Sequence, residues 1–230
     1  MTKCLFCPNA ADSKEHVFPR WITSALPGAG DLIHELERGA EKSTWSAGYL
    51  GVQHRIVCKQ CNHGWMHDLE EAARPMLSPM ISDPDCPQRL MRSDQRILAK
   101  WAIKTAVVLH SIANEPPHAP IGWCEQLKAD SIPTEASAWI VQRLAPAVSR
   151  AAAVLLPQPD HEFWACSFAF GHCAFQAWLW NAPAPDDLYI DQRLWPPQAV
   201  LAWPPRLALG GADFSQFAER KAKLKVIEPT

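Results

Sequence analysis

Two pairs of cysteines in the N-terminal third of the chain have the spacing of metal ligands. Cys4 and Cys7 form one Cys-x-x-Cys pair, CLFC, and Cys58 and Cys61 form the other, CKQC. A tight turn of this kind presents two thiolates to one metal ion, so two turns complete a tetrahedral four-sulfur site. A redox role requires a β-α-β context, and neither pair has one. The spacing therefore predicts a structural Zn²⁺. The other four cysteines lack such spacing and are predicted to be buried small apolar residues: Cys86, Cys124, Cys166 and Cys173.

A carboxylate stands beside an imidazole between the two cysteine pairs. These are Glu15 and His16, in the stretch SKEHVFPRW. If one zinc ion joins both pairs, the chain must return from the first pair to the second, which brings positions 15 and 16 close to Asn62. A carboxylate, an imidazole and an amide are the groups that metal-assisted phosphodiester hydrolysis needs, because a base activates water while oxygen or nitrogen ligands hold a divalent ion.

The order of these motifs resembles the HNH endonuclease superfamily. The matching elements are CLFC, SKEHVFPRW, VCKQCNHGWMHDLE and LAKWAIKTAVV, and they are similar to those of bacterial HNH-like proteins usually described only as hypothetical. The resemblance covers about residues 3–110. It implies a zinc-bound, treble-clef-like ββα-metal lobe in which His16 is the general base. Glu15 and Asn62 would ligate a catalytic Mg²⁺ or Mn²⁺, and the cysteines would be structural.

One amide of the HNH pattern is missing from this sequence. Compact HNH sequences have an Asn between the Glu-His pair and the second cysteine pair, whereas residues 17–57 contain none. His54 is the candidate that would brace His16 instead. The same interval is longer than two strands require, so DLIHELERGAEKSTWSAGYLG is predicted to insert a loop or lid. Arg55 is a candidate contact for phosphate.

The segment after the second cysteine pair is predicted to be helical. His63 and His67 are four residues apart and so share one face, which makes them candidate accessory metal ligands. Glu70 is predicted to be an ordinary acidic residue on the helix surface. Trp65 is predicted to belong to the core rather than to a base-stacking platform.

The periodicity of the remaining chain predicts an α+β fold with two domains, residues 1–75 and residues 76–230. Four prolines, at 75, 79, 84 and 87, are expected to break any helix at the boundary. A long helix is predicted at about 93–113 and antiparallel strands from residue 136 onward. A hairpin turn is expected at Gly171-His172, and SQFAERKAKL is expected to be a C-terminal helix.

The net charge and the lengths of the apolar runs limit the cellular location and the binding partners expected of this protein. A formal net charge of −2 and a pI near 6.5 provide no general basic field, so any contact with nucleic acid must be local. The first residues lack the apolar core of a secretory signal, and no run approaches a membrane span. A cytoplasmic protein without membrane contact is expected.

Three functions remain open from the sequence. The first is a metal-dependent nuclease that cuts DNA, favoured by the joint presence of Glu15, His16 and Asn62. The second is a non-catalytic zinc-stabilised module that binds nucleic acid or protein, favoured by the near-neutral charge and the missing Asn. The third is a structural or regulatory protein in which the tryptophan-rich C-terminal domain makes the functional contact and the zinc lobe only caps it. The same domain is a candidate contact between copies of the chain in a homo-oligomer. Retention of the three residues makes the nuclease the leading hypothesis.

Overall fold

A computed structural model describes residues 2–26, 32–38, 41–47, 53–83, 85–86, 90–113, 121–134, 136–157, 162–180, 200–203 and 222–227. Over these residues the chain combines helices with antiparallel sheets, which confirms the predicted α+β class. The elements are β1 (Ser13–His16), α1 (Arg20–Ala25), β2 (Leu32–Arg38), β3 (Glu41–Ala47), β4 (Gln53–Val57), α2 (Lys59–Cys61), a π-helical segment (Asn62–Met66), α3 (His67–Ser82), α4 (Arg92–Ala113), α5 (Ile121–Lys128), β5 (Ala136–Pro157), β6 (Glu162–Trp180), β7 (Val200–Trp203) and β8 (Ala222–Ile227).

Strands β1 and β4 form a small antiparallel pair that carries the Glu-His motif. Glu15 lies opposite His54, and His16 lies opposite Gln53. The burial of β1 alternates, so Glu15 points inward while Lys14 on the other face is exposed. The three residues between β1 and α1 are all buried, beginning with Val17. They anchor the end of β1 in the core.

A helical run that is kinked at Gly64 follows β4, and it is not broken at Pro75 or Pro79, where the sequence predicted a break. Pro75 and Pro79 both lie inside α3. They are four residues apart and so share a face, and Pro75 is exposed. The carbonyl groups that lose their intrahelical partners are therefore close to solvent. The expected break at these two prolines was wrong, and the domain boundary placed at residue 75 falls within α3.

Helix α4 confirms the long helix predicted at about 93–113. It begins at Arg92, and the Asp94 carboxylate accepts a hydrogen bond of 2.8 Å from the Met91 backbone N–H. This contact is one half of a capping box. Two of the apolar positions that define the helix, Leu98 and Trp101, are buried, as the periodicity predicted.

The described strands outside the β1–β4 pair form one antiparallel sheet in the order β3-β2-β8-β5-β6, with β7 also paired to β5. The insert predicted as a loop or lid provides β2 and β3, which pair along their length. The C-terminal helix was expected over residues 215–224, of which the structure describes 222–224. That prediction was wrong for these three residues, because they begin β8. Alternation of Lys223, Leu224, Lys225 and Val226 is a strand pattern, and β8 pairs with both β2 and β5.

Gly171 lies inside β6, so the predicted hairpin turn was wrong. Its φ of +49° lies in the left-handed region. The pairing of β5 with β6 shifts register here, between Gln142 and Ala147 and again up to Arg150. A Cβ at Gly171 would lie 2.1 Å from the carbonyl oxygen of Ile81 at the end of α3. Glycine is therefore required by an irregularity in a long strand and by close contact with a helix.

A single cluster of buried hydrophobic residues runs from the first cysteine turn to β6. Phe18 from the β1 end packs edge-on against Phe170, with 4.7 Å between ring centroids. Trp178 is buried, and its ring centroid lies 4.9 Å from that of Trp139, so this tryptophan packs in the interior. The side chains of Trp164, Trp180, Trp195 and Trp203 lie outside the described residues. No helix in the described ranges is long and apolar enough to cross a membrane.

Candidate functional site

The four cysteines of the two pairs come together in one cluster. Their Sγ atoms all lie within 4.8 Å of one another. Cys7 Sγ is 3.5 Å from Cys58 Sγ and 3.7 Å from Cys61 Sγ. A tetrahedron with Zn–S bonds of about 2.3 Å has sulfur–sulfur edges of about 3.8 Å. All four cysteines are free thiols, so the cluster can hold a metal ion.

Backbone hydrogen bonds build the two cysteine turns. The Phe6 N–H donates to Cys4 Sγ, and the Cys61 N–H donates to Cys58 Sγ, both at 3.4 Å. The Leu5 N–H donates to the Ile56 carbonyl at 2.8 Å and so fastens the first turn to β4. Phe6 is buried against Trp65, with 5.0 Å between ring centroids, which confirms Trp65 as a core contact.

The pKa values of the clustered thiols shift in opposite directions. Burial raises the pKa of the Cys58 thiol, but hydrogen bonds from the Cys61 N–H and from neighbouring thiols outweigh it and hold that pKa at about 7. Burial raises the pKa of Cys61, and negative charge on Cys4 raises it further. Burial likewise raises the pKa of Cys4. The Cys58 thiolate thus forms readily, whereas thiolates at Cys4 and Cys61 require a cation to compensate their charge.

His16 lies at the end of β1 with two side chains directed at its Nε2 atom. The Gln53 amide nitrogen is 2.5 Å away, and Arg20 Nε is 3.3 Å away. Burial lowers the pKa of His16, and the positive charge of Arg20 lowers it further. With these two donors, Nε2 acts as an acceptor and the imidazole is neutral. A neutral imidazole is the form that can accept a proton from water.

Glu15 points to the opposite side of β1 and meets a buried lysine. Its Oε1 atom is 3.6 Å from Lys104 Nζ, and Glu70 Oε1 accepts a hydrogen bond of 2.8 Å from the same ammonium. The Lys104 side chain is 0% exposed and the Glu15 side chain 5%. Burial raises the pKa of Glu15 to about 7, although Lys104 acts in the lowering direction. Burial lowers the pKa of Lys104, but the two carboxylates outweigh it, so the ammonium stays charged.

Asn62 joins the start of the helical run to β1. Its amide nitrogen donates to Ser13 Oγ at 2.8 Å and to the Lys14 carbonyl at 3.2 Å. Asn62 opens the π-helical segment, in which Gly64 has a non-helical backbone with φ −100° and ψ −119°. These two hydrogen bonds bring Asn62 to the strand of Glu15 and His16, as the sequence expectation requires.

The three candidate histidines lie in different settings. His54 lies opposite Glu15 in the strand register, and the contact with His16 is made by the preceding residue, Gln53. His63 and His67 are both exposed. Among the described residues, the four cysteines are the only group of three or more His, Cys, Asp or Glu side chains whose ligand atoms lie close together.

The outer face of the β1–β4 pair carries exposed cations. Lys14 shares the face of His16 because the two are two positions apart on β1, and Arg55 shares the face of Gln53 on β4. Lys14, Arg55 and Arg20 are exposed, and the hydrogen bond between His16 and Gln53 shows that both strands present this face together. A chain with a net charge of −2 thus has a local cluster of positive charge around His16.

Three residues of this region were not found from the sequence. Gln53 supplies the amide that contacts His16, a role for which His54 was the candidate. Glu70 was predicted to be a surface acid, which was wrong because it is 18% exposed and bonded to the fully buried Lys104. The third residue is Lys104. Its position among apolar residues in WAIKTAVV was the available signal for a buried charge that needs partners.

Comparison with protein-family models, with curated proteins and with solved structures gave no match.

Proposed function

We propose that this protein is a metal-dependent HNH-type endonuclease that hydrolyses phosphodiester bonds in DNA. The observation that carries the proposal is the setting of His16. Its imidazole is held by the Gln53 amide, is neutral, and lies among exposed cations on one face of the β1–β4 pair. A positioned neutral base beside groups that attract phosphate is the arrangement required to activate water against a phosphodiester.

His16 serves as the general base in this proposal. Gln53 takes the positioning role of the missing Asn because its amide group is 2.5 Å from Nε2. Arg20 also reaches Nε2, at 3.3 Å, and it is exposed at the first position of α1. A bound phosphate would compete with His16 for the Arg20 guanidinium. Nε2 has a single lone pair, so both the Arg20 guanidinium and the Gln53 amide N–H would have to turn away from it before it could accept the proton of the attacking water.

The donor atoms for a divalent ion are the Glu15 carboxylate and the Asn62 amide oxygen. The hydrogen bonds of Asn62 use its nitrogen, so its oxygen is the atom suited to a metal. One or two protein oxygen ligands, with the rest supplied by water and phosphate, are typical of Mg²⁺. When bound, Mg²⁺ or Mn²⁺ polarises the phosphate and stabilises the leaving oxygen.

The four-cysteine cluster is proposed to hold a structural Zn²⁺. Sulfur–sulfur distances of 3.5 and 3.7 Å support four-sulfur coordination, and the set has no open position for substrate. Zinc would join the first cysteine turn to the start of the helical run and so hold β1 beside Asn62. Lys14, Arg20 and Arg55 are the proposed contacts for the DNA backbone.

The test is cleavage of supercoiled plasmid and of single-stranded DNA with Mn²⁺ or Mg²⁺, with His16→Ala beside the wild type. Loss of the base is expected to reduce cleavage by about 10²–10⁴-fold while zinc content and folding stay unchanged. Glu71→Gln is the matched control, because Glu71 is exposed on α3 and forms an ion pair with Arg74, which is also exposed. Equal cutting by wild type and His16→Ala would show that another group is the base.

A non-catalytic module that binds nucleic acid or protein is the second candidate. The observation that favours it is the inward position of Glu15, whose carboxylate already has an ion pair with Lys104. A site that has lost its divalent ion would tolerate this pairing, and the exposed cations would still bind phosphates. DNA binding by both wild type and His16→Ala, without cleavage by either on any substrate, would support this alternative.

A further inference from the structure

The fully buried Lys104 stands between two carboxylates from different elements. Glu15 comes from β1 and Glu70 from α3, while Lys104 comes from α4. A buried ammonium requires a partner because removal from water is costly for an isolated charge. One carboxylate would balance its charge, yet two lie within ion-pair distance. The second carboxylate, when ionised, adds a negative charge beyond the one that Lys104 neutralises.

The two carboxylates are not equivalent. Glu70 Oε1 accepts a hydrogen bond of 2.8 Å from Lys104 Nζ, whereas Glu15 Oε1 is 3.6 Å from the same nitrogen, beyond normal hydrogen-bond length. The contact of the ammonium with Glu70 is thus the shorter of the two, and its contact with Glu15 is the weaker. When both carboxylates are ionised, the three side chains carry one excess negative charge, and the weaker pairing locates that excess at Glu15.

We propose that Glu70 is a positioning residue of the candidate site: by taking the hydrogen bond of the buried Lys104 ammonium, it leaves the Glu15 carboxylate available to a divalent cation. This rests on the proposed function, in which Glu15 is a ligand of Mg²⁺ or Mn²⁺. Without the charge of Glu70, Glu15 would be the one carboxylate within ion-pair distance of Lys104 among the described residues. The ammonium and the divalent ion would then compete for the same oxygen atoms.

The test is a titration of the full, zinc-loaded chain with Mn²⁺. Binding is measured from the electron paramagnetic resonance signal of the Mn²⁺ that remains free. Glu70→Gln keeps the size of the side chain and removes its charge, and it is expected to weaken Mn²⁺ binding by about 10–100-fold, as loss of an outer partner of a metal ligand does. Glu70→Asp keeps the charge and should recover most of the affinity. Glu71→Gln removes a charge from the adjacent exposed position and should leave the affinity unchanged.

A double variant separates competition from general damage to the core. Glu70→Gln combined with Lys104→Met removes the ammonium together with its partner, so no internal cation competes for Glu15. Affinity for Mn²⁺ should return to the wild-type value or above it, whereas a purely structural role of the pair predicts no recovery. If Glu70→Gln alone does not fold, the double variant still decides, because binding weaker than wild type would overturn the proposal.

The possible results distinguish this inference from the proposed function. Unchanged Mn²⁺ affinity in a folded Glu70→Gln protein overturns the role of Glu70 and leaves the nuclease proposal standing. Mn²⁺ binding that depends on both Glu15 and Glu70, without cleavage of DNA, supports the inference and overturns the nuclease. Absence of Mn²⁺ binding in the wild type overturns both.

Discussion

Replacement of Cys58 by Ser is expected to remove zinc and to destabilise the whole chain. Cys58 is buried, and its Sγ lies 3.5 Å from that of Cys7, which is 51 positions earlier in the sequence. A metal bound at the cluster closes this loop. By the chain-entropy relation for a cross-link, closure of a loop of that length stabilises the folded state by about 4 kcal/mol. For a chain of 230 residues this corresponds to a fall of about 8–16 °C in Tm.

The measurement is urea unfolding of wild type and Cys58→Ser in reducing buffer, with zinc content determined by mass spectrometry. Cys86→Ser is the matched control because Cys86 is half-buried and outside the cluster, so its zinc content and unfolding free energy should stay close to those of the wild type. A Cys58→Ser protein that unfolds at the wild-type urea concentration, or a wild type that binds no zinc, would refute the reasoning. Either result would show that the cysteine turns are held by packing alone.

Three other sets of substitutions test the site and the fold. Gln53→Ala should reduce cleavage by up to about 10²-fold without loss of zinc, because the imidazole of His16 is then without the amide that orients it; Gln53→Asn should retain more activity. The double substitution Lys14→Ala and Arg55→Ala should make the plot of log K against log salt concentration less steep, where K is the association constant for duplex DNA measured by fluorescence anisotropy. The magnitude of the negative slope should fall by about 0.9 for each phosphate that is no longer neutralised, and an unchanged slope would show that DNA binds elsewhere. A left-handed backbone costs a residue with a Cβ about 1–2 kcal/mol. Gly171→Ala should lower the free energy of unfolding by more than this, because the new Cβ would also overlap the Ile81 carbonyl oxygen of α3; a urea midpoint equal to that of the wild type would contradict this.

Several features were predictable because they depend on local spacing. The two cysteine pairs indicated a shared cluster, and the structure brings all four Sγ atoms together. The apolar period of SDQRILAKWAIKTAVVLHSIAN predicted α4, which is stabilised by burial of that face. The predicted burial of the other cysteines was correct for Cys124, Cys166 and Cys173 but wrong for Cys86, which is half-buried.

Local propensity failed where tertiary contacts outweighed it. Pro75 and Pro79 disfavour a helix, but α3 continues because its opposite face is buried against the core and the missing hydrogen bonds lie toward solvent. Residues 222–224 have helical propensity, but β8 fills a place between β2 and β5 where strand pairing satisfies its backbone. Gly171 has the composition of a turn, but it lies where β6 approaches α3.

The sequence by itself determined which four cysteines form the cluster and that a carboxylate, an imidazole and an amide accompany them, because these depend on residue identity and short spacing. Only the tertiary structure decided the partners of those groups. The register of β1 on β4 selected Gln53 as the contact of His16, and the packing of α3 and α4 beneath β1 placed Glu70 and Lys104 against Glu15. Both outcomes depend on contacts between residues more than 30 positions apart, as the separations of 37 for His16–Gln53 and 34 for Glu70–Lys104 show. Local sequence patterns do not indicate which distant side chains come into contact, because the packing of whole helices and strands determines those contacts.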